Sequence, residues 1–361
     1  MRISLEGASR TLPLCAATRQ DVGVAQAGAR SGEGDSYRIG VIADVQYADA
    51  PDGTNFARTT VRHFRGALRV LKKAVDYWNE SGVDLVANLG DTIDGRCSGL
   101  KQSERSTAAV LREFDRCHCE NVVHLIGNHD LYNFRSRDEL HRWLRTRGAD
   151  GQEYRSFPAR ADLRILLLDP YRISLLWPAG HPCREEARAL LSQHNPNAVE
   201  GRGENWFDGL NGDERRFVPF NGGLGREQLR WLRGELDAAR AMQQRTLILT
   251  HVPIHPRACD GTTMVWDFEE VLALIDEYRQ SVVAVLAGHD HKGGYVHERG
   301  VHHVTFKSPL NLGDAGSCFG RIEIDKRELR IRGPRLADLL DQGLLDREFP
   351  EPGLECVRLP L

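Results

Sequence analysis

The chain has 361 residues, of which 41% are hydrophobic and 27% are charged, a balance that excludes a fibrous or wholly disordered protein. Its 48 Lys and Arg residues are matched by 51 Asp and Glu residues, so the net charge of −3 lacks the basic excess of a protein dominated by nucleic-acid contacts. No apolar run approaches the ~18–20 residues that span a bilayer. We therefore expect neither a nucleic-acid partner nor a membrane partner.

The amino-terminal part of the chain lacks the periodicity of a folded element. Residues 1–35 are rich in Gly, Ala, Ser and Arg, and we expect a mostly disordered extension there. The apolar stretch at 12–17 contains Pro13 and is too brief for the core of a signal peptide. The eight cysteines contain no CxxC pair, which is typical of free thiols in a reducing compartment. These features predict a cytoplasmic protein.

Strand-like and helix-like patterns alternate from residue 37 onward. Short apolar runs predict strands, and apolar residues three or four positions apart predict amphipathic helices. The predicted strands cover 37–42, 85–89, 122–126, 154–157, 164–168, 246–249, 282–286, 295–297, 302–307, 321–324 and 329–332, and the predicted helices cover 62–80, 103–117, 137–147, 183–193, 226–242 and 267–278. Two βαβα halves followed by short strands predict two facing sheets with helices outside, an α/β sandwich.

We assign one domain to residues 36–335 and a C-terminal tail to 336–361. Within the domain, residues 195–223 form a long irregular stretch rich in Asn, Gly and Asp that nevertheless contains Trp206, Phe217 and Phe220. A loop of this length inside a compact domain is typically functional or disordered. The aromatic content favours a partly ordered lid, and a surface excursion that packs only on its own core is the alternative.

Polar residues with metal-binding chemistry follow five of the predicted strands. One block is Asp44-Val45-Gln46, and a lone histidine follows the strand at 246–249. The carboxyl ends of strands in a packed α/β fold lie at a common edge, so we expect these side chains to converge. The candidate ligands are Asp44, Gln46, Asp91, Asn128, His251, His289 and His291.

Carboxylates, amide oxygens and neutral imidazoles are suited to a pair of divalent ions about 3.5–4 Å apart that share a carboxylate and a water. Asp91 is the expected bridging carboxylate, because small neighbours leave it room. The first ion would take Asp44, Gln46 and His291, and the second would take Asn128, His251 and His289. We expect two Mn²⁺ ions, with Fe²⁺ and Mg²⁺ as alternatives, and a bridging hydroxide that attacks phosphorus.

Two residues directly after Asn128 have a predicted catalytic role. The ring of His129 can reach the leaving oxygen, where an imidazolium would stabilise developing charge and donate a proton. Asp130 is expected to orient that ring, as carboxylates orient histidines in many sites.

The blocks Gly90-Asp91-Thr92-Ile93-Asp94, Gly127-Asn128-His129-Asp130 and Gly288-His289-Asp290-His291 resemble the signature of the calcineurin-like metallophosphoesterases. The resemblance implies a four-layer α/β/β/α sandwich and a phosphoester-hydrolysing metal site. The chain departs from that superfamily at Gln46, where most members carry a histidine. A neutral amide oxygen is a harder and weaker donor than imidazole, so we expect weaker binding at the first site and a preference for Mn²⁺.

Further stretches, among them 44–56, 127–134 and 220–232, resemble the manganese-dependent ADP-ribose/CDP-alcohol diphosphatases. That resemblance implies hydrolysis of the phosphoanhydride bond in nucleotide substrates such as ADP-ribose, CDP-choline and CDP-glycerol. It also makes Phe56 a candidate contact for the base, and it aligns the region around Thr263 with a substrate-facing segment. The backbone N–H groups around Asn221 and Gly222 are candidate donors to phosphate oxygens.

Two other functions remain open at this stage. The same superfamily signature fits a phosphomonoesterase or a cyclic-nucleotide phosphodiesterase. A metal-free interaction scaffold is the more distant alternative, since scaffolds of this kind lose metal ligands and this chain keeps competent donors at every position. The oligomeric state and the physiological substrate are not predicted from the residues.

Overall fold

The computed structural model describes residues 36–55, 57–195, 197, 205–340 and 356–361. The extension expected at residues 1–35 and the candidate base contact Phe56 lie outside these residues. In the described ranges, the order of strands and helices follows the pattern predicted from the sequence.

The secondary structure begins with a strand and ends with one. The strands are β1 (Tyr37–Ile42), β2 (Gly53–Thr54), β3 (Val61–Arg62), β4 (Leu85–Asn88), β5 (Val122–His124), β6 (Arg155–Arg160), β7 (Leu163–Leu167), β8 (Arg245–Leu249), β9 (Val282–Ala287), β10 (Gly294–Glu298), β11 (Val301–Thr305), β12 (Gly320–Ile324), β13 (Glu328–Arg332) and β14 (Cys356–Pro360). The helices are α1 (Phe64–Ser81), α2 (Arg96–Gly99), α3 (Ser103–Phe114), α4 (Asn128–Asn133), α5 (Arg137–Leu144), α6 (Pro182–His194), α7 (Gly225–Ala241), α8 (Phe268–Glu277) and α9 (Leu336–Leu339).

Two six-stranded sheets and one small hairpin, β2–β3, contain these strands. The first sheet has the order β14-β13-β12-β1-β4-β5, and the second has the order β10-β11-β9-β8-β7-β6. β1, β4 and β5 are parallel to one another, as are β11, β9, β8 and β7. Within each parallel group, the carboxyl ends therefore lie at one edge of the sheet.

The hydrophobic core has three layers, because the strands alternate their side chains between two buried faces. Ile39 of β1 faces the space between the sheets, where it joins Leu85, Leu247 and Leu286. Ile42 of the same strand packs on the other face among the buried side chains of α1 and α3. On the far side of the second sheet, the buried faces of α7 and α8 cover β8 and β9. The predicted four-layer α/β/β/α sandwich is confirmed.

The segment expected to form a C-terminal tail contributes to this core. β14 pairs antiparallel with β13 and becomes the outer strand of the first sheet. Leu336, Leu339 and Leu340 are buried in the cluster between the sheets. The boundary that we set at residue 335 therefore falls inside sheet-forming structure. A five-residue strand with two inward apolar residues, Val357 and Leu359, is too short a pattern to identify from sequence.

The described part of the predicted lid is attached at its base to the domain. The Asn195 side chain donates hydrogen bonds to the carbonyl oxygens of Trp206 and Phe217, at 2.9 and 2.6 Å. Phe217 is buried in a small cluster with Trp266 and α6, so the second half of the stretch packs against the domain. Among the described residues, no helix is both long and apolar enough to cross a membrane.

The contact between α1 and the first sheet leads to a stability prediction. A Cβ at Gly40 would lie 2.9 Å from the Trp78 ring, and that buried ring donates its Nε1–H to Gly320 O at 2.8 Å. The ring cannot shift without weakening this bond, so we expect Gly40→Ala to lower the free energy of unfolding by about 1–3 kcal/mol in a urea titration. Gly234→Ala is the control, because its Cβ meets no atom within 4 Å and alanine favours the α7 helix. Equal stability of the two variants would contradict the packing.

Candidate metal centre

Polar side chains lie at the carboxyl ends of five strands, and the two sheets bring them to one rim. β1, β4 and β5 deliver them from the first sheet, and β8 and β9 deliver them from the second. All except His291 are buried, although each is charged or strongly polar. The residues brought together are Asp44, Gln46, Asp91, Asn128, His251, His289 and His291.

The backbone at this rim is held in an uncommon conformation. Asp44, Gln46, Asp91 and His289 have positive φ angles of 53°, 42°, 56° and 67°. Side-chain-bearing residues rarely adopt this left-handed region, and they do so mainly where a site requires a particular direction of the side chain. The sharp turns after β1, β4 and β9 therefore aim these side chains at the rim instead of continuing the strands.

One group of ligands consists of Asp91, His251 and His289, whose candidate ligand atoms all lie within 4.8 Å of one another. His251 Nδ1 lies 2.7 Å from Leu89 O and must carry the proton, which leaves a lone pair on Nε2. That Nε2 is buried without a hydrogen bond in the described structure, 3.6 Å from Asp91 Oδ1 and 4.0 Å from Asp44 Oδ1. Asp44 Oδ1 also lacks a hydrogen bond. Unpaired buried acceptors that face one another fit a cation between them.

His289 is oriented by a residue that we had assigned to the substrate. Its Nε2 lies 2.7 Å from Asn221 Oδ1, so Nε2 carries the proton and Nδ1 keeps a lone pair for a metal. Burial, followed by the charge of the His251 ring, lowers the pKa of His289 well below its ordinary value. A neutral ring is the form that binds a metal ion.

A second group contains Asp44, His291 and Gln46. His291 Nε2 lies 3.4 Å from Asp44 Oδ1. Burial opposes the ionisation of Asp44, but its contact with His291 and the charges of His251 and His289 lower the pKa of Asp44 to about 2. Asp44 is therefore an anionic ligand across the physiological pH range.

Gln46, which we predicted as an oxygen ligand of the first ion, has its amide nitrogen turned toward the other candidate ligands. Gln46 Nε2 donates to Asp91 Oδ2 at 2.7 Å and lies 3.0 Å from His291 Nε2, so the amide nitrogen faces the other ligands. Oε1 points away, because it accepts a hydrogen bond from Arg62 Nη1 at 2.9 Å. Sequence reasoning missed Arg62, which lies in a short hairpin outside every motif.

Asn128 starts α4 and is held by two tyrosines. Its Oδ1 accepts from the Tyr171 hydroxyl at 3.2 Å, and its Nδ2 is 3.3 Å from the Tyr132 hydroxyl. Tyr171 is fixed in turn by Arg137, which donates to Tyr171 O and to Asp169 Oδ2 at 2.5 and 2.7 Å. Asn128 is thus positioned, through Tyr171, by the buried ion pair between Arg137 of α5 and Asp169 after β7.

Asp130, which we expected to orient His129, binds the backbone of two loops in this structure. Oδ2 of Asp130 accepts from the backbone N–H groups of Asp91 and Gly127, and Oδ1 accepts from that of Thr92, at 2.9 to 3.0 Å. These bonds fix the turns that carry Asp91 and Asn128. Asp130 is therefore a structural residue of the two loops.

The His129 ring is instead oriented by the loop after β4. His129 Nδ1 lies 2.9 Å from Gly95 N and 3.3 Å from Asp94 Oδ2. One ring nitrogen cannot accept from Gly95 and donate to Asp94 at the same time. We assign the shorter contact as the hydrogen bond, so Nδ1 accepts from Gly95 N–H and the ring proton lies on Nε2. Burial opposes a second proton on the ring, but Asp91 and Asp94 outweigh burial and raise the pKa of His129.

The three remaining substrate candidates are mainly occupied by protein contacts. Asn221 donates its amide to Arg216 O and Thr262 O, both at 2.9 Å, and the N–H of Asn221 bonds to Val218 O. A Cβ on Gly222 would lie 2.5 Å from Pro170 O, so this turn is packed against backbone. The backbone N–H of Asn221 is therefore occupied by Val218 O, while a phosphate contact of the Gly222 N–H stays a prediction. The Thr263 hydroxyl lies 2.9 Å from Asp260 O and 3.2 Å from Asp290 Oδ2, which joins it to the loop behind His289.

Two half-buried aromatic residues from the predicted lid lie beside the centre. The Phe220 ring is 5.9 Å from the His289 ring, and the Trp206 ring is 6.0 Å from Phe220. Their aromatic content was visible in the sequence, but their proximity to the ligands was not.

Comparisons with known proteins agree with this geometry. A model of the calcineurin-like phosphoesterase family matches residues 37–293. The chain is 39% identical over 300 residues to a manganese-dependent ADP-ribose/CDP-alcohol diphosphatase of Arabidopsis thaliana, covering 82% of this chain and 94% of that protein. It is 35% identical to the Homo sapiens protein of the same name, covering 87% of this chain and 94% of that protein.

A crystal structure of a dimetal phosphatase from Danio rerio is also similar, with a TM-score of 0.77 and 33% identity over 82% of this chain and 95% of that one. The resemblance seen in the sequence motifs is thereby confirmed. The chain belongs to the calcineurin-like phosphoesterase family, and within it to the group of manganese-dependent ADP-ribose/CDP-alcohol diphosphatases.

Proposed function

We propose that this chain hydrolyses the phosphoanhydride bond of nucleoside diphosphate derivatives such as ADP-ribose and CDP-alcohols, with two Mn²⁺ ions as cofactor. The names of the relatives support the reaction and the metal. The observation that carries the proposal is the pair of buried, unpaired acceptors at the rim, Asp44 Oδ1 and His251 Nε2, beside Asp91 and His289. Carboxylate oxygens and imidazole nitrogens are ligands that divalent ions such as Mn²⁺ accept.

The candidate ligands would be divided between the two ions. Asp44 and His291 would hold one ion, His251, His289 and Asn128 would hold the other, and Asp91 contacts both groups. When bound by these residues, two divalent ions would activate a water molecule for attack and would offset the charge of the phosphate. Gln46 steadies Asp91 through its amide N–H.

His129 would assist the departing group. Gly95 holds Nδ1, so the proton at Nε2 is free to be donated to the oxygen that leaves. Phosphoanhydride cleavage releases a phosphate oxygen, and a donor beside it lowers the barrier by stabilising its charge. This role follows the sequence prediction for His129, although the groups that position the ring are different.

The nucleoside would lie against the aromatic side chains on the lid side of the centre. Phe220 lies beside the His289 ring, Trp206 lies beside Phe220, and both side chains are only half-buried. Stacking on aromatic rings tolerates any base, which agrees with a group of relatives named for both adenine and cytosine nucleotides.

Removal of the metal is the first test. We expect free Mn²⁺ at about 100 times its Kd to raise the stability of the wild-type protein by about 2.7 kcal/mol, measured as a shift in Tm, and EDTA to reverse the shift. His251→Ala removes one unpaired acceptor and should abolish most of the shift. His297→Ala is the control, because His297 is exposed on β10. A full shift in His251→Ala would contradict the proposed ligand set.

Substitution of His129 separates catalysis from metal binding. His129→Ala should lower kcat for ADP-ribose by about 10²–10⁴-fold while the Mn²⁺-dependent Tm shift stays close to that of the wild type. Asp130→Asn should instead lower the thermal stability itself, because a carboxamide cannot accept all three backbone N–H groups. A fully active His129→Ala enzyme would remove the proposed proton donor.

A substrate panel tests the reaction class. With Mn²⁺, ADP-ribose and CDP-choline should be cleaved to a nucleoside monophosphate and a phosphorylated alcohol or sugar, as resolved by chromatography. 2′,3′-Cyclic AMP and 4-nitrophenyl phosphate represent the two other phosphoesterase functions. Turnover of these two compounds alone would overturn the proposed function.

A further inference from the structure

We propose that the segment after β7, residues 169–173, supports only one of the two metal ions, and that Tyr171 is the positioning residue through which it acts. The ion is the one assigned to Asn128, His251 and His289, and we call it the second ion. This inference rests on the proposed function, because it concerns the cofactor of that reaction. Tyr171 would not bind the metal itself but would hold the side chains that do.

The segment reaches the metal rim without contributing a ligand. β7 lies beside β8 in the second sheet and runs parallel to it, so both strands end at the same edge. β8 is followed by His251, whereas no candidate ligand follows β7. Asp169 and Tyr171 are nevertheless buried at this edge. We therefore looked for their role in contacts with the ligands that other strands deliver.

Tyr171 contacts two ligands of the second ion. Its hydroxyl lies 3.2 Å from Asn128 Oδ1 and must be the donor, because an amide oxygen only accepts. Its ring lies 6.1 Å from the His251 ring, measured between centroids. A metal ion binds the oxygen of an asparagine amide and not the nitrogen. The hydroxyl therefore fixes which end of the Asn128 amide is the oxygen.

The third ligand of the second ion is linked to the same segment through a neighbouring turn. Ile173 and Gly223 exchange two backbone hydrogen bonds, each of 2.9 Å. The turn that leads to Gly223 contains Asn221, whose Oδ1 accepts from His289 Nε2–H at 2.7 Å. Residues 169–173 thus connect to all three ligands of one ion, although these ligands follow three different strands.

The ligands of the first ion have other supports. In the part of the chain that the structure describes, no hydrogen bond joins residues 169–173 to Asp44, Gln46 or His291. Gln46 is held by Arg62, and the backbone oxygen of Asp44 accepts from the Ser308 hydroxyl at 2.9 Å. A change after β7 should therefore weaken the second ion and spare the first.

Buried hydrogen bonds from two helices hold the segment in place. Asp169 Oδ1 accepts from Tyr171 N at 3.0 Å, and Oδ2 accepts from Arg137 Nη1 at 2.7 Å. Gln228 of α7 accepts from Asp169 N at 2.8 Å and donates to Asp169 O at 2.7 Å. Asp169, Arg137 and Gln228 are all buried. A buried polar network that is satisfied in this way keeps the turn rigid.

The test measures Mn²⁺ binding to the metal-free full chain by calorimetry, without turnover. Tyr171→Phe keeps the ring beside His251 and removes only the hydroxyl. We expect one Mn²⁺ Kd to rise about 10–100-fold and the other to change less than about 3-fold. Gln228→Met contacts no ligand and acts only through Asp169, so it should weaken the same ion.

Two ligand variants identify which ion is affected. His291→Ala removes a ligand of the first ion, and His251→Ala removes a ligand of the second. Adding Tyr171→Phe should raise the remaining Kd about 10–100-fold in the His291→Ala background and less than about 3-fold in the His251→Ala background. An unchanged Kd in the first background, or equal rises in both, would overturn the proposal.

Tyr278→Phe is the matched control. Tyr278 is a buried tyrosine at the end of α8, and its hydroxyl donates to Asp237 Oδ1 at 2.8 Å, away from the rim. This variant should bind both ions as the wild type does; a Kd rise equal to that of Tyr171→Phe would mean a general loss of packing and would contradict the proposal. A wild-type protein that binds two Mn²⁺ ions without cleaving ADP-ribose would refute the proposed function, while the two backgrounds would still decide the role of Tyr171.

Discussion

Polar atoms that are buried without partners at the junction of two sheets are the constraint on which this protein depends. Asp44 Oδ1 and His251 Nε2 are both buried, unpaired within the described residues and 4.0 Å apart. Each such atom costs about 1–3 kcal/mol if it stays unsatisfied. Asp44 comes from the first sheet and His251 from the second, so neither sheet can form the site alone. The metal centre therefore forms only when the two sheets of the sandwich pack against each other.

The residues around the ligands determine which nitrogen of each histidine ring carries the proton and which is left for a metal. Leu89 O accepts a hydrogen bond from His251 Nδ1–H, and Asn221 Oδ1 accepts one from His289 Nε2–H, so each ring has one nitrogen left for a metal. Leu89 follows β4 of the opposite sheet, which ties the tautomer of His251 to the sandwich. Asp130 holds the backbone of the turns instead of a ring. Loss of any of these supports would loosen a ligand without removing it.

The pair formed by Arg62 and Gln46 links the β2–β3 hairpin to the candidate metal ligands. A histidine at position 46 has one acceptor nitrogen when neutral, which it can offer to a metal or to an arginine. The glutamine amide offers an acceptor to Arg62 and a donor to Asp91 simultaneously. The hairpin is thereby tied to the loop after β4 that carries Asp91.

Local patterning was sufficient to predict the layered fold and the convergence of polar residues at strand ends. Strand and helix periods are properties of short segments, and a polar residue that follows a buried strand must lie at the sheet edge. The tautomers, the turned amide of Gln46 and the true partner of His129 could not be predicted this way, because Leu89, Arg62 and Gly95 are distant in sequence from the residues they bond. Side-chain hydrogen bonds depend on distances of a few tenths of an ångström between separate segments. Such distances exist only after the two sheets and the hairpin have packed together.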